Sequence, residues 1–351
     1  MPGAISAVAK GNSAMRVNVH LYRSLDDVAA DAGPALDRAA QPSLFDRLDW
    51  FRLVATHLPD ICPVIVRAES GGVKAWLFLT DRGHGRAEAL ACWYTLGFAP
   101  VFAGDGQNDI LLAACARAAK RHFHHVMLTP LADADRAVLE RAFTATGWGT
   151  IATPVSINRQ VAVGDGFAAF WAARPGRLRS TAQRKAKAAG LRIEIIDGYD
   201  PAAWAAYESV YAESWKGEEG SPTFQQALAM QEGAAGTLRL GIAFLADQPV
   251  AAQYWLVEGG RATIHKLAYA ESARALSPGT VLTAAMFRHV IDRDCPAVVD
   301  FGTGDDPYKA DWMDQRHTLW RIDLHRLSHP AGLYGYARAR AAALVRARRA
   351  A

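Results

Sequence analysis

Residues 297–309, "AVVDFGTGDDPYK", place three carboxylates (Asp300, Asp305, Asp306), a phenol (Tyr308) and an amine (Lys309) within ten positions. The apolar run before Asp300 reads as a central strand, "FGTGDD" as its turn, and "PYK" as the start of a helix. A strand-to-helix turn at the open end of a sheet is a common ligand position. Such acids can bind or deprotonate a cation, and the lysine can hold a phosphate or carboxylate. The competing account is structural, with Asp305 or Asp306 capping the helix from 307. The triplet Asp300-Phe301-Gly302 also matches the metal-binding letters of protein kinases. No GxGxxG and no HRD precede it, so phosphoryl transfer of that type is excluded.

A second stretch, "LAYAESARALSPGTVLTAAMFRHVI" (267–291), joins a strand to a helix through Ser277-Pro278-Gly279, with the helix expected near Thr280. The first turn of a helix has unused N–H groups and a partial positive charge, which suits a pyrophosphate. Gly279 lets a phosphate approach the backbone, and Thr280 adds a hydroxyl. An ordinary helix start would look the same.

Two similar series of elements must position these groups. Strand-like "VNVHLY", two helices, the strands "CPVIVRAE", "KAWLFLT" and "RAEALACWY", a helix (108–122), the strand "HVMLTPL", a helix over 133–146 and the strand "TPVSINRQVAV" fill the first half. The second half repeats the order, from helices on both sides of Pro175 and "LRIEIID" through a three-strand meander to "AVVDFG" and "TLWRIDLHR". Element order, not letter identity, predicts a duplicated α+β unit with mixed sheets flanked by helices. The expected division is a disordered 1–15, a first domain 16–163, a second domain 164–328, and a basic C-terminal helix 329–351.

Just over half of the 351 residues are hydrophobic and the net charge is +4, enough for two cores and no bar to acidic or neutral partners. The four cysteines are scattered singly, which argues against a zinc ribbon or a disulfide framework and for a reducing compartment. No signal-peptide stretch opens the chain and no run of ~18 apolar residues occurs, so a cytoplasmic location is expected. "HFHH" (122–125) lacks companion ligands at suitable spacing, and no metal is expected.

"YAESWK" (211–216), "HKLAYA" (265–270), "SPGTVL" (277–282) and "DFGTGDDPYK" (300–309), in this order, resemble the GNAT N-acyltransferases, and within them the CelD/BcsL branch found with cellulose and exopolysaccharide genes and related to the Fem-type aminoacyltransferases. The resemblance covers about 165–325. The loop departs from the usual R/Q-x-x-G-x-G/A by keeping one glycine. The resemblance implies tandem GNAT-like domains, the first a degenerate copy that shapes the acceptor cleft. It implies acetyl-CoA or a longer acyl-CoA as co-substrate, held by Ser277, Gly279, Thr280 and Val281 where the meander strands splay apart. The acceptor is expected to be a primary amine, of an envelope amino sugar or of a long-chain sphingoid-type base. His265 is a candidate base because an unperturbed imidazole titrates near neutrality, and Asp305 is another. Tyr269 could protonate the thiolate. Trp215, Lys216, Lys266, Asp300, Tyr308 and Lys309 are candidate acceptor contacts. Structural roles stand beside each of these: a backbone-bonded strand histidine, a core tyrosine, a helix-end tryptophan. Two other functions share the fold, a Fem-type transferase fed by aminoacyl-tRNA and a catalytically silent binding protein of a polysaccharide system.

Residues 174–192 hold Arg174, Arg177, Arg179, Arg184, Lys185, Lys187 and Arg192 without an acid, and the C-terminal helix holds Arg338, Arg340, Arg346, Arg348 and Arg349 likewise. Solvated helix faces would account for both. So would a phosphate-bearing or lipid-linked acceptor, or an anionic inner membrane face contacted by the C-terminal helix, whose Leu333, Tyr334, Tyr336, Leu344 and Val345 sit among the arginines. No nucleic-acid partner is expected unless the donor is a tRNA.

Overall fold

The computed structural model describes residues 16–188, 190–216 and 220–350. The N-terminal segment expected to be disordered lies outside them. Thirteen strands form one sheet: β1 (Asn18–Tyr22), β2 (Pro63–Ser70), β3 (Val73–Asp81), β4 (Arg86–Ala89), β5 (Val101–Ala103), β6 (His125–Leu131), β7 (Trp148–Ala162), β8 (Leu191–Asp197), β9 (Leu238–Leu245), β10 (Gln248–Glu258), β11 (Arg261–Tyr269), β12 (Val298–Thr303) and β13 (Gln315–Arg326). The helices flanking it are α1 (Leu25–Ala32), α2 (Leu48–His57), α3 (Asn108–Ala119), α4 (Asp133–Thr144), α5 (Gly166–Ala172), α6 (Gly176–Ala188), α7 (Pro201–Ala212), α8 (Pro222–Ala234), α9 (Pro278–Asp294) and α10 (Pro330–Ala350).

Local chemistry sets several of these boundaries. Ser24 caps α1, and Asp200 and Ser221 cap α7 and α8, each followed by a proline in the first helical turn. β10 is buried over Val250–Leu256, so it reads as a continuous apolar run rather than an alternating one. Three expectations need correction. The strand expected to run to Tyr94 stops at Ala89, and residues 90–100 cross over as irregular chain. A short strand, β5, follows that crossing and pairs with β3. The helix expected from 307 is one 3-10 turn, Pro307–Asp311.

The strand order is β1-β2-β3-β4-β6-β13-β7-β12-β11-β10-β9-β8. Only β4 with β6 and β11 with β12 run parallel, one such pair in each half. The halves exchange their last strands. β13 inserts beside β6 of the first half, while β7 pairs with β12 of the second. β7 and β13 also pair with each other along twelve residues, from Trp148↔Arg326 to Gln160↔Gln315, with one register shift. The halves share a core as well: Phe224 of α8 packs edge-on against Trp50 at 5.5 Å and stacks on Tyr94 at 4.8 Å.

Candidate active site

The parallel pairing of β11 with β12 holds only from Arg261↔Val298 to Thr263↔Asp300. Two residues later the register of β11 against β10 slips, with Tyr254 facing Lys266 and Trp255 facing Ile264. His265 is therefore the extra residue of a β-bulge. A bulge bends its strand, and here β11 leaves β12. The gap opens into a cavity of about 770 Å³ lined by both strands, the start of α9, Trp215 and Lys216 in the turn after α7, and the Pro307–Trp312 turn.

The floor is the start of α9. Ser277 takes a left-handed backbone (φ 53°), and its carbonyl accepts the N–H groups of Thr280 and Val281. Pro278 has no N–H, so Gly279 carries the first helical N–H without a backbone partner among the described residues. The Gly279 carbonyl accepts Thr283 Oγ1 at 2.7 Å, and buried Gln253 reaches the same hydroxyl, which fixes the turn from below. A Cβ on Gly279 would lie 3.2 Å from the Tyr269 ring, so glycine keeps the floor open. The first turn of α9 holds no acid. The matching helix of the first half, α3, carries Asp109 in its first turn and Asp105 just before it. Those charges disfavour an anion there, so the anion-competent helix start is that of the second half.

His265 lines the cavity, 8% exposed, with its ring 5.2 Å from that of Tyr254 and neither ring nitrogen hydrogen-bonded among the described residues. Burial, and then the Lys266 charge, pull its pKa down to about 3. The near-neutral titration expected from sequence does not survive this desolvation; the ring is a neutral imidazole across the physiological range. Tyr308 is held high by burial first, then by Asp306 and Tyr269. The side chain as a whole is 41% exposed, and its hydroxyl stays protonated well above neutrality. Trp215 packs on Tyr269 with ring centroids 4.4 Å apart. Lys216 Nζ donates to the Leu267 carbonyl at 2.6 Å, and Lys266 Nζ lies over the rings of Tyr94 and Tyr211 at 4.7 and 5.7 Å.

Lys309 lines the cavity but its ammonium turns inward. It donates to the Thr303 carbonyl at 2.6 Å and the Phe301 carbonyl at 3.4 Å, with Asp306 at 3.8 Å. Burial lowers its pKa. It ties the β12 tip to the following turn, which explains an amine in so tight a loop. Two of the expected acids face elsewhere. Asp305 is clamped by Arg159 at 2.7 Å and Arg316 at 2.9 Å, and these hydrogen bonds, Arg316 first, lower its pKa. Asp300 opens to the other face of the sheet, where Asn158, Gln160, Arg261 and the Gly302 N–H all donate to it. Val281 is buried and does not line the cavity; it lies instead in a separate groove with Ala284, Ala285 and Arg288. Of the basic run, Arg174 is buried against Phe170 and bound to the Trp312 carbonyl and Asp314, a packing role. Arg177 pairs with Asp311, and Lys185 holds the Ala275 carbonyl.

Trp93, Tyr94 and Leu96 also line the cavity, although they belong to the first half. The Tyr94 hydroxyl accepts the Ser221 N–H at 2.7 Å. Reading "RAEALACWY" as one strand hid them. "TLGFAP" immediately after it, with its glycine and proline, was the signal that the chain leaves the sheet there. Among the described residues, no cluster of three or more His, Cys, Asp or Glu could hold a metal ion, and no helix is long and apolar enough to cross a membrane.

Residues 174–310 match the family described as "Acetyltransferase (GNAT) domain". No curated protein matches the chain. Among solved structures, FemX superposes with a TM-score of 0.55 at 10% identity, over 78% of this chain and 94% of that one. The C-terminal domain of a putative lysylphosphatidylglycerol synthetase from Agrobacterium fabrum gives 0.52 at 14%, over 74% and 83%. A tandem GNAT protein from the clavulanic acid biosynthesis pathway gives 0.50 at 14%, over 88% and 98%. The fold is thus a tandem GNAT arrangement, and the domain match supports an N-acyltransferase enzyme.

Proposed function

We propose that this chain transfers an acyl group from an acyl-CoA thioester to a primary amine. The carrying observation is the start of α9: an acid-free first turn with the unused Gly279 N–H, at the floor of the gap between β11 and β12. A pyrophosphate on that helix start would direct the thioester between the strands. The amine nitrogen then attacks the carbonyl carbon. The C–N bond forms, the C–S bond breaks, and the ammonium loses two protons in all. One leaves to solvent before attack. The other is released as the tetrahedral intermediate collapses. The departing thiolate takes a proton from the Tyr308 hydroxyl, with Tyr269 beside it, and solvent restores it. His265 offers an unprotonated acceptor that orients a neutral amine.

Aromatic residues at the cavity mouth, Trp93 (88% exposed), Trp215 and Tyr308, suit an acceptor with a sugar ring or a long apolar chain. An amino sugar of an envelope polysaccharide or a sphingoid-type amine fits this reading, as does membership of the CelD/BcsL branch. The likeness to FemX and to the lysylphosphatidylglycerol synthetase domain favours a second reading, an aminoacyl donor carried on tRNA.

Calorimetry with CoA, acetyl-CoA, longer acyl-CoAs and aminoacyl-tRNA tests these readings. Gly279→Trp should weaken CoA binding at least tenfold, or ~1.4 kcal/mol, without unfolding the chain. Unchanged affinity would remove this loop from the donor site. CoA binding without turnover of any thioester would favour a silent binding protein.

The C-terminal helix suggests an anionic membrane surface as a partner. α10 docks through Gly332, Gly335 and Tyr336, where added atoms would collide with the Arg326 carbonyl and the His325 ring. Its opposite face leaves Leu333, Tyr334, Leu344 and Val345 exposed between Arg338 and Arg340, and the helix carries no acid.

A further inference from the structure

On the opposite face of the gap lies a second cavity of about 590 Å³, at the junction of the two halves. Successive β11 residues divide between the cavities, Thr263 facing this one and Ile264 the first, and Leu96 lines both. Its walls are fixed by ion pairs between the halves. Arg38 bonds Glu232 at 2.6 Å and Glu258 at 2.8 Å, and buried Arg47 bonds Glu258 at 2.7 Å while holding the carbonyls of Gln41 and Pro42.

Six carboxylates line this cavity: Asp46, Asp133, Asp135, Glu232, Glu258 and Asp300. Most are neutralised. Glu232 and Glu258 are held by the arginines above, Asp300 by Arg261, and Asp133 by Arg136 at 3.2 Å. Among the described residues Asp46 and Asp135 have no ion pair, although a Ser43 hydrogen bond and the Arg47 charge act on Asp46, and the two carboxylates repel each other. Burial first, and Asp135 as a further cause, raise Asp46 to about 6, and burial raises Asp135. The other cationic or titratable groups of the lining are Arg261, already bound to Asp300, and His317 at the exposed rim.

An independent observation points the same way. Asn158 is 5% exposed and lines this cavity beside Asp300. Its Nδ2 donates to Asp300 at 2.8 Å, but its Oδ1 has no donor among the described residues. A buried carbonyl oxygen without a donor costs free energy unless a ligand supplies one. It accepts only, so the missing group is an N–H or O–H.

We infer that this cavity binds a diammonium chain, one ammonium between Asp46 and Asp135 and the other at Asn158 Oδ1. The site lies apart from the gap and goes beyond the reading of the first cavity as the donor site. Two cations match the two uncompensated carboxylates and the orphaned acceptor better than one. A monoamine would leave one end of the site unpaired.

Calorimetry on the full chain with putrescine, spermidine, n-butylamine and glucosamine, with CoA titrated into the same samples, decides the matter. Putrescine and spermidine should bind at least tenfold more tightly than n-butylamine, with affinity falling as salt rises. Asp46→Asn with Asp135→Asn should remove that preference and leave CoA binding unchanged. Equal binding of diamine and monoamine by the unaltered chain overturns the inference, even if the variant fails to fold. So does diamine binding that survives the double substitution, or tighter binding of glucosamine than of putrescine. CoA binding without diamine binding sinks this inference alone. Diamine binding without CoA binding sinks the donor reading and leaves a diamine site. Failure of both removes both.

Discussion

Leu96 of the first half packs against Gly302 at the tip of β12 in the second: a Cβ on Gly302 would lie 3.3 Å from Leu96 Cδ1. This contact stands between the two cavities and joins two chain segments about two hundred positions apart. Gly302 also takes φ +66°, a left-handed backbone that side chains resist. Gly302→Ala should therefore lower stability by ~1–2 kcal/mol from the backbone alone, plus the cost of displacing Leu96. Adding Leu96→Ala should recover only the second part. A double-mutant cycle by urea denaturation measures the coupling; additive effects would mean that Leu96 does not brace the tip.

Tyr308→Phe should slow the chemical step by roughly 10²–10⁴, with CoA affinity little changed. Because burial holds the Tyr308 hydroxyl above its ordinary value, the alkaline limb of turnover should lie above pH 10. Single-turnover kinetics across pH checks both. An intact rate in Tyr308→Phe would move the acid to Tyr269 or to water.

Asp305→Ala should change turnover by less than a few-fold, since Arg159 and Arg316 already occupy its carboxylate. Its lowered pKa gives stability that is present above the unfolded carboxylate range and is lost as pH falls through the folded value. The variant should therefore show a shallower loss of stability below about pH 4. A large loss of turnover would return Asp305 to the list of bases.

His265 makes the chain acid-sensitive over a different window. The unfolded chain binds a proton there near pH 6.5, whereas the folded chain does so only near 3. Between these values the unfolded state holds more protons, so stability must fall as pH drops, by up to ~1.4 kcal/mol per unit for this group. His325, lowered to about 4 by burial, His125 and His124, with Asp323 opposing, adds to the same slope. His265→Gln should flatten the curve of stability against pH between 3 and 6.5, measured by urea titration. An unchanged slope would mean that the ring is solvated in the fold.

Replacing Leu344 and Val345 with aspartate should abolish co-sedimentation with anionic vesicles and leave turnover of a soluble amine intact, since α10 docks through its first turns. The attraction should weaken with salt, because screening at ~0.15 M confines it to ~8 Å. If the unaltered chain does not sediment with the vesicles, the arginines are a solvated face.

What the sequence determined by itself is local. Ser24 marks a helix start, the run AVVDF marks a buried strand, and SPGT marks the glycine turn onto α9, because caps, periodicity and backbone freedom act within a few residues. The repeated element order was equally legible. Tertiary structure decided the rest. Alternation in a strand names its faces but not its neighbours, so the exchange of β7 and β13 could not be read from either strand. The bulge at His265 depends on the register against β10, and the gap follows from it. Whether an acid is a base or half of an ion pair depends on groups far away in the chain: Asp305 on Arg159, Asp300 on Asn158 and Arg261. His265 lost its titration because burial removes the water that would stabilise the imidazolium, and burial is a property of the assembled fold.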